Sequence, residues 1–174
     1  MSHKIRLSKS YTMTIFAISD YHEPIRSLIL AKSRSDITAS KQLGKLILMH
    51  TPLQYIPIDC FIPIPLHWTR FAHRGYNQAD EIAQILAHNT GKPVIHAIKR
   101  TKRTQFQSKL THGNRLHNVR NAFIVTGDGS YFHNKHIVLV DDLMTTGATL
   151  QALAKMIIKY KPASISVAVA CRVV

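Results

Sequence analysis

The chain has 174 residues, 45% of them hydrophobic, which is enough for one domain over residues 1–174 with its own core and too little for two ordinary domains. Lysine and arginine number 23 against nine acidic residues, so the formal charge is +14. No apolar run approaches the ~20 residues that cross a bilayer, and the stretch 11–18 lacks a signal-peptide cleavage pattern, so we expect a cytoplasmic protein with no membrane span.

Strand-like and helix-like segments alternate through the first half of the chain. Apolar periodicity predicts strands at 11–18 and 58–64, and helices at 22–33, 38–50 and 77–87. The strand at 58–64 ends at prolines, which do not continue a strand interior.

The second half continues this alternation around one long polar segment. The pattern predicts strands at 94–98, 122–126, 136–142 and 164–171, and an amphipathic helix at 147–160. Strands that alternate with helices favour a doubly wound α/β domain with a mostly parallel sheet.

The polar segment at 99–120 is unusually long for a loop in so short a chain, and such loops often cover active sites. No acidic residue occurs between Ile82 and Gly127, whereas eight lysines and arginines do. This composition favours a polyanionic partner, either a phosphate-rich small molecule or a nucleic acid. A generically basic proteome is the alternative explanation, and charge alone does not choose between them.

The cysteines and histidines do not predict a metal site. Cys60 and Cys171 lie far apart in apolar runs, which is typical of buried free thiols in a reducing compartment. There is no Cys-x-x-Cys pair, and the eleven histidines are scattered. We therefore expect no structural metal held by the protein.

The most informative segment joins a buried strand to a helix through two adjacent acids and a threonine-rich turn. Asp141 and Asp142 end the strand, and residues 145–149 (Thr-Thr-Gly-Ala-Thr) open the helix. Ligands of open parallel sheets bind at the carboxyl ends of strands, and a helix N-terminus there binds phosphate. Since carboxylates repel phosphate, the ligand must also offer hydrogen-bond donors, and a ribose 5-phosphate does so through its 2′- and 3′-hydroxyls.

Other interpretations of this segment are weaker. A P-loop requires Gly-Lys-Ser/Thr, and a dinucleotide site requires Gly-x-Gly-x-x-Gly; neither occurs here. A plain helix start with threonine caps is the structural alternative.

The run Val138-Leu-Val-Asp-Asp-Leu-Met-Thr-Thr-Gly-Ala-Thr149 resembles the phosphoribosyl-pyrophosphate signature of type I phosphoribosyltransferases. Pro63-Ile-Pro65, Arg74-Gly-Tyr-Asn-Gln78, Gln107-Ser-Lys-Leu110 and Asn118-Val-x-Asn-Ala-Phe123 resemble the ComF family, also labelled GntX, in order and spacing. The resemblance implies a type I phosphoribosyltransferase fold with a small hood and a flexible loop. Many members begin with a four-cysteine zinc module, which this sequence does not contain.

The resemblance also implies residue roles. Asp141 and Asp142 would be the catalytic residues and hold the ribose hydroxyls, and Thr145, Thr146, Gly147, Ala148 and Thr149 would hold the 5′-phosphate. Arg70 and Arg74 would bind the diphosphate through their forked donors. Residues 99–120 would form the cover loop, with Arg100, Arg103 and Arg115 closing on the ligand. For the Arg74–Gln78 block, a helix start capped by Asn77 is the alternative.

Three functions remain open at this point. The first is a phosphoribosyltransferase, a glycosyltransferase that binds 5-phosphoribosyl-1-pyrophosphate with Mg²⁺ and transfers the phosphoribosyl group to a nitrogen acceptor, releasing pyrophosphate. The second is a competence-related DNA-uptake protein that binds single-stranded DNA and uses the ribose-phosphate site for sensing or strand handling. The third is a regulator that binds the ligand without catalysis. The sequence identifies neither the acceptor nor the oligomeric state.

Overall fold

The structure, a computed structural model, describes residues 2–23, 25–31, 37–66, 68–101 and 122–173, and only the backbone of residues 28, 30, 31, 70, 73 and 74. Its strands are β1 (Ser2–Arg6), β2 (Thr12–Asp20), β3 (Cys60–Pro63), β4 (Ile98–Arg100), β5 (Phe123–Val125), β6 (His136–Val140), β7 (Leu143–Met144) and β8 (Ser164–Arg172). Its helices are α1 (Ile25–Ala31), α2 (Ile37–His50), α3 (Trp68–Arg74), α4 (Gln78–Thr90) and α5 (Ala148–Ile157), with 3₁₀ turns at 52–55, 130–132 and 158–160.

The main sheet has six strands in the order β1-β2-β8-β6-β3, with the short β7 paired to β8. Every pair in it is parallel except β1 with β2. The predicted mostly parallel sheet is therefore confirmed. The antiparallel β1 was not predicted, because its sequence is a basic, largely exposed stretch of the kind that occupies sheet edges.

Helices cover both faces of this sheet, as the doubly wound prediction requires. Along β6, Ile137 and Leu139 belong to a core shared with α5, whereas Val138 and Val140 belong to a core shared with α1, α2 and α4. Successive side chains of a strand point to opposite faces, so one buried strand contributes to two cores.

Local signals set the bounds of α4. The Asn77 side-chain oxygen accepts a hydrogen bond from the Ala79 N–H at 3.2 Å, which caps the first turn. Gly91 ends the helix in the left-handed conformation at φ 67°. The predicted helix at 77–87 is confirmed and extends to Thr90.

The prediction for 94–98 was wrong in position. Val94 makes only an isolated bridge to Phe61, and the strand β4 begins at Ile98. It pairs with β5 in an antiparallel ribbon separate from the main sheet. Residues 99 and 100 therefore belong to a strand and not to the predicted loop, and the rest of that loop, from 102 on, lies outside the described residues.

Within the described ranges, no helix combines the length and the hydropathy that a membrane-spanning segment requires.

Candidate functional site

The carboxyl ends of β2, β8, β6 and β3 lie along one edge of the sheet because these strands are parallel neighbours. Asp141 and Asp142 follow β6 at this edge. The Asp141 N–H donates to the Ala168 carbonyl at 3.1 Å, and the Asp142 carbonyl accepts from the Ala170 N–H at 3.1 Å. The backbone of β8 therefore fixes both acids at the position where the sheet opens.

The two acidic side chains are half-buried. The Asp141 Oδ1 accepts a hydrogen bond from the Asp142 N–H at 2.9 Å, which orients the first carboxylate. An ionised carboxylate offers about four acceptor positions, which suits it to accept hydrogen bonds from the hydroxyls of a ligand. Beyond the acids, β7 pairs with β8, and the Val173 N–H donates to the Met144 carbonyl at 2.8 Å. The segment between acids and turn is thus held against the sheet.

The threonine turn ends at Gly147, which precedes α5 with φ 70°. A Cβ at this position would lie no closer than 3.7 Å to any neighbour, so the backbone conformation, and not crowding, favours glycine here. The Thr146 hydroxyl accepts from the Ala148 N–H at 3.4 Å. That bond engages one N–H of the first helical turn and leaves the hydroxyl proton of Thr146 available to a phosphate. Thr145 and Thr149 are also partly exposed, whereas Gly147 and Ala148 are buried.

The end of β3 lies beside the acid pair. The Ile64 N–H donates to the Val140 carbonyl at 2.9 Å, directly before Asp141. The Asn77 amide in turn donates to the Ile64 carbonyl at 3.0 Å. The predicted diphosphate loop therefore starts next to the acids, and the start of α4 is tied to it.

The block from Arg74 to Gln78 forms the junction between α3 and α4. Gly75 turns the chain at φ 78°, Tyr76 is 7% exposed, and Asn77 caps α4. Capping of α4 thus explains why an asparagine occurs at position 77. Arg70 and Arg74 lie on α3, and their side chains are outside what the structure describes, so their role at the diphosphate stays a prediction.

The predicted cover residues are only partly described. Arg100 lies in β4, with its guanidinium carbon 5.4 Å from the centroid of the Phe123 ring. Its side chain therefore packs on the ribbon through a cation–π contact between β4 and β5. Arg103 and Arg115 lie outside the described residues.

The edge also holds an ion pair that was not predicted from the sequence. The Arg172 Nε lies 2.7 Å from the Asp20 Oδ1, joining the ends of β8 and β2 beside the acid pair. These residues are far apart in the chain, and only the strand pairing brings them together. Predicting this ion pair would have required knowing that β2 and β8 are neighbours, and hydrophobic periodicity does not reveal strand order.

The structure confirms the two cysteines as buried free thiols. Burial raises the pKa of Cys60 to about 11, so its thiol is protonated and unreactive at neutral pH. Among the described residues, no group of three or more histidine, cysteine or acidic side chains lies together as a metal site would require.

Comparison with known proteins identifies the family. The family model described as "Phosphoribosyl transferase domain" matches residues 72–173. Competence protein F of Haemophilus influenzae is 33% identical over 150 residues, which cover 82% of this chain and 65% of that protein. The DNA utilization protein YhgH of Salmonella typhi is 31% identical over 165 residues, covering 91% of this chain and 71% of that protein.

The chain belongs to the ComF family. Competence protein ComFC of Bacillus subtilis is also similar, at 36% identity over 106 residues that cover 60% of this chain and 41% of that protein. The type I phosphoribosyltransferase fold predicted from the motifs is confirmed by the domain match and the sheet. This chain spans slightly less than two thirds, 65%, of the length of the Haemophilus protein.

Proposed function

We propose that this ComF-family protein binds 5-phosphoribosyl-1-pyrophosphate at the carboxyl edge of its sheet and transfers the phosphoribosyl group to a nitrogen acceptor. One observation carries the proposal. The acid pair and the end of β3 are hydrogen-bonded into one edge of the sheet, and the threonine-glycine turn follows directly from β7 at the same edge. These three features match the three parts of the ligand: ribose hydroxyls, 5′-phosphate and diphosphate.

The division of charge supports this assignment. Asp141 and Asp142 accept hydrogen bonds from the ribose hydroxyls and disfavour a phosphate at their own position. The N-terminus of α5 and the hydroxyls of Thr145 and Thr149 favour the phosphate a few residues further on. A ligand that consists of phosphate alone would be attracted to the start of α5 and repelled by the acid pair. A phosphorylated sugar places its hydroxyls at the acids and its phosphate at the helix.

Magnesium fits the donor set. Mg²⁺ prefers oxygen ligands and is usually held by one or two carboxylates together with substrate phosphates, not by a cage of protein ligands. Asp141 and Asp142 supply carboxylates at the edge, and the diphosphate would supply the remaining oxygens. The ion would neutralise charge on the leaving pyrophosphate, while the protein holds the ribose in position.

A thermal-shift screen tests the binding step. At a ligand concentration 100 times Kd, binding adds about 2.7 kcal/mol to the free energy of unfolding. For a domain of this size that raises Tm by roughly 5–11 °C. We expect such a shift with phosphoribosyl pyrophosphate and Mg²⁺, and a smaller one with AMP or GMP. No shift with phosphoribosyl pyrophosphate at millimolar concentration would contradict the proposal.

Release of pyrophosphate tests the transfer step. Purine bases, pyrimidine bases and simple amines serve as acceptors, and the variant with both Asp141→Asn and Asp142→Asn serves as the inactive control. We expect turnover with at least one acceptor and its loss in the double variant. Ligand binding without turnover for any acceptor would instead support a regulator that binds the ligand.

The aromatic side chains of α3 support a second candidate, binding of single-stranded DNA. Trp68 is 71% exposed and Phe71 is 51% exposed, three residues apart and so on one face of the helix. Exposed aromatic rings beside basic residues are the elements on which bases of single strands stack. Arg70 and Arg74 belong to the same short helix, in a chain of charge +14.

Trp68 is the only tryptophan of the chain, so its fluorescence reports stacking directly. We expect oligo-dT to quench it, and Trp68→Ala or Phe71→Ala to weaken binding by about 5- to 100-fold, since each stacked base contributes ~1–3 kcal/mol. Tyr55→Ala is the control, because Tyr55 is 80% exposed on a different segment. Affinity should also fall steeply with salt. Undetectable binding near 50 mM salt would eliminate this candidate.

A further inference from the structure

Gln78 is a buried polar side chain with an unmet hydrogen bond. It is 3% exposed, and its Nε2 has no hydrogen-bond partner within the part of the chain that the structure describes. Buried amide donors are nearly always paired, so a lone one needs an explanation. A ligand that supplies the missing acceptor is one explanation, and the position of Gln78 indicates which part of the ligand that is.

Gln78 lies on the side of α4 that faces the sheet, at the end nearest the acid pair. It is the first residue of α4 and sits one turn before Ile82 and two turns before Leu86, which pack in the core over β3 and β6. The preceding residue, Asn77, donates to the Ile64 carbonyl at the end of β3. The side chain of Gln78 therefore lies between α4 and the carboxyl ends of β3 and β6.

Chemistry selects the group that the amide would meet there. An uncharged N–H₂ donor requires an acceptor oxygen, and a ribose hydroxyl that donates to the acid pair offers only a neutral and therefore weaker acceptor. The diphosphate oxygens, expected at the turn that follows β3, are acceptors only. Hydrogen bonds to charged acceptors are the strong ones in a buried setting.

We propose that the Gln78 amide donates a hydrogen bond to the diphosphate of the bound ligand and so distinguishes phosphoribosyl pyrophosphate from ribose 5-phosphate. This inference rests on the proposed function, because it assigns a further residue of the same site. It also gives the last residue of the Arg-Gly-Tyr-Asn-Gln block a role that capping by Asn77 does not account for.

The test compares two ligands and four proteins by calorimetry. Gln78→Met keeps the length and the helix propensity of the side chain and removes the donor, and Gln78→Glu places a carboxylate near the diphosphate. Ser40→Ala is the matched control, because the Ser40 Oγ is also buried without a partner among the described residues but lies on α2.

We expect Gln78→Met to bind phosphoribosyl pyrophosphate about 10- to 100-fold more weakly, with unchanged affinity for ribose 5-phosphate and no loss of Tm. Gln78→Glu should bind the diphosphate ligand more weakly still, and Ser40→Ala should bind both ligands as the wild type does. An unchanged ratio of the two affinities in Gln78→Met overturns the inference while the proposed function stands. Equal loss of both ligands together with a lower Tm overturns it in favour of a structural role. Failure of the wild type to bind either ligand overturns the proposed function itself.

Discussion

Replacing Gly147 by alanine tests two properties of the threonine turn, its left-handed backbone conformation and its proposed binding of phosphate. Gly147 has φ 70°, and an added Cβ would meet Ile5, Met144 and Gln151 only at ordinary contact distances, from 3.7 Å outward. The cost is therefore that of left-handed backbone for an L-residue, about 1–2 kcal/mol. For a domain of this size we expect Tm to fall by roughly 2–8 °C.

The same change should weaken ligand binding. Relief of the strain moves the turn away from φ 70°, and the N–H groups at the start of α5 move with it. Loss of one hydrogen bond to a charged phosphate lowers the affinity for phosphoribosyl pyrophosphate by about tenfold or more. Calorimetry measures the affinity, and thermal unfolding without ligand measures the stability.

Gly91→Ala is the matched control. Gly91 has φ 67°, and among the described residues an added Cβ would have no neighbour within 4 Å. It ends α4 about 20 Å from the start of that helix and so lies far from the site. We expect the two variants to lose similar stability and only Gly147→Ala to lose affinity. Equal ligand affinity in both would refute a phosphate at this turn, and a Gly147→Ala variant as stable as the wild type would refute the left-handed conformation.

Three further predictions concern the rest of the fold. The Asp59 carboxylate accepts a hydrogen bond from the His136 backbone N–H at 2.8 Å, which lowers the pKa of Asp59 from the ordinary 3.8. The ionised carboxylate therefore stabilises the fold above that pH, and this contribution is lost on acidification. Asp59→Asn should therefore show a shallower loss of stability as the pH falls through and below 3.8 in urea titrations; an unchanged slope would contradict it. The Cys60 thiol, with its pKa near 11, should resist alkylation at pH 8 in the native protein and react in urea, and rapid native labelling would contradict its burial. Gly44→Ala should lower the free energy of unfolding, because a Cβ there would lie 2.8 Å from the Cβ of Ile85. Overpacking costs about 1–3 kcal/mol, whereas the gain in helix propensity is at most ~1 kcal/mol. A net gain in stability would mean that α2 and α4 are not so close.

The elements that the sequence predicts well are those that bury a periodic face. The helices α4 and α5 pack against the sheet along apolar stripes of unambiguous periodicity, and β8 is a central strand whose apolar run is buried on both faces. The helix α3 was not predicted, because its exposed Trp68 and Phe71 interrupt any inward stripe. The strand β4 was misplaced, because a strand of three residues carries almost no periodic signal, whereas β5 lies within the predicted 122–126.

The same contrast holds for the site. Asp141, Asp142 and the turn up to Gly147 are contiguous, so the motif predicts their placement together at the end of β6. The tie between Asn77 and the end of β3 depends on contacts across the sheet and over many residues of chain. Long-range pairings of this kind follow from strand order and helix packing, which apolar periodicity does not encode.

The proposed binding of phosphoribosyl pyrophosphate at the carboxyl edge of the sheet depends on the acid pair. Calorimetric titration of this ligand with Mg²⁺ into the wild type, the Asp141→Asn, Asp142→Asn double variant and Asp59→Asn tests it most directly. Asp59 accepts a hydrogen bond from the first residue of β6 and so lies at the opposite edge of the sheet. We predict saturable binding to the wild type and to Asp59→Asn, and a loss of about 100-fold or more in the double variant, from two hydroxyl-to-carboxylate hydrogen bonds. Equal affinity in all three proteins would place the ligand elsewhere and rule out the acid pair as its binding site.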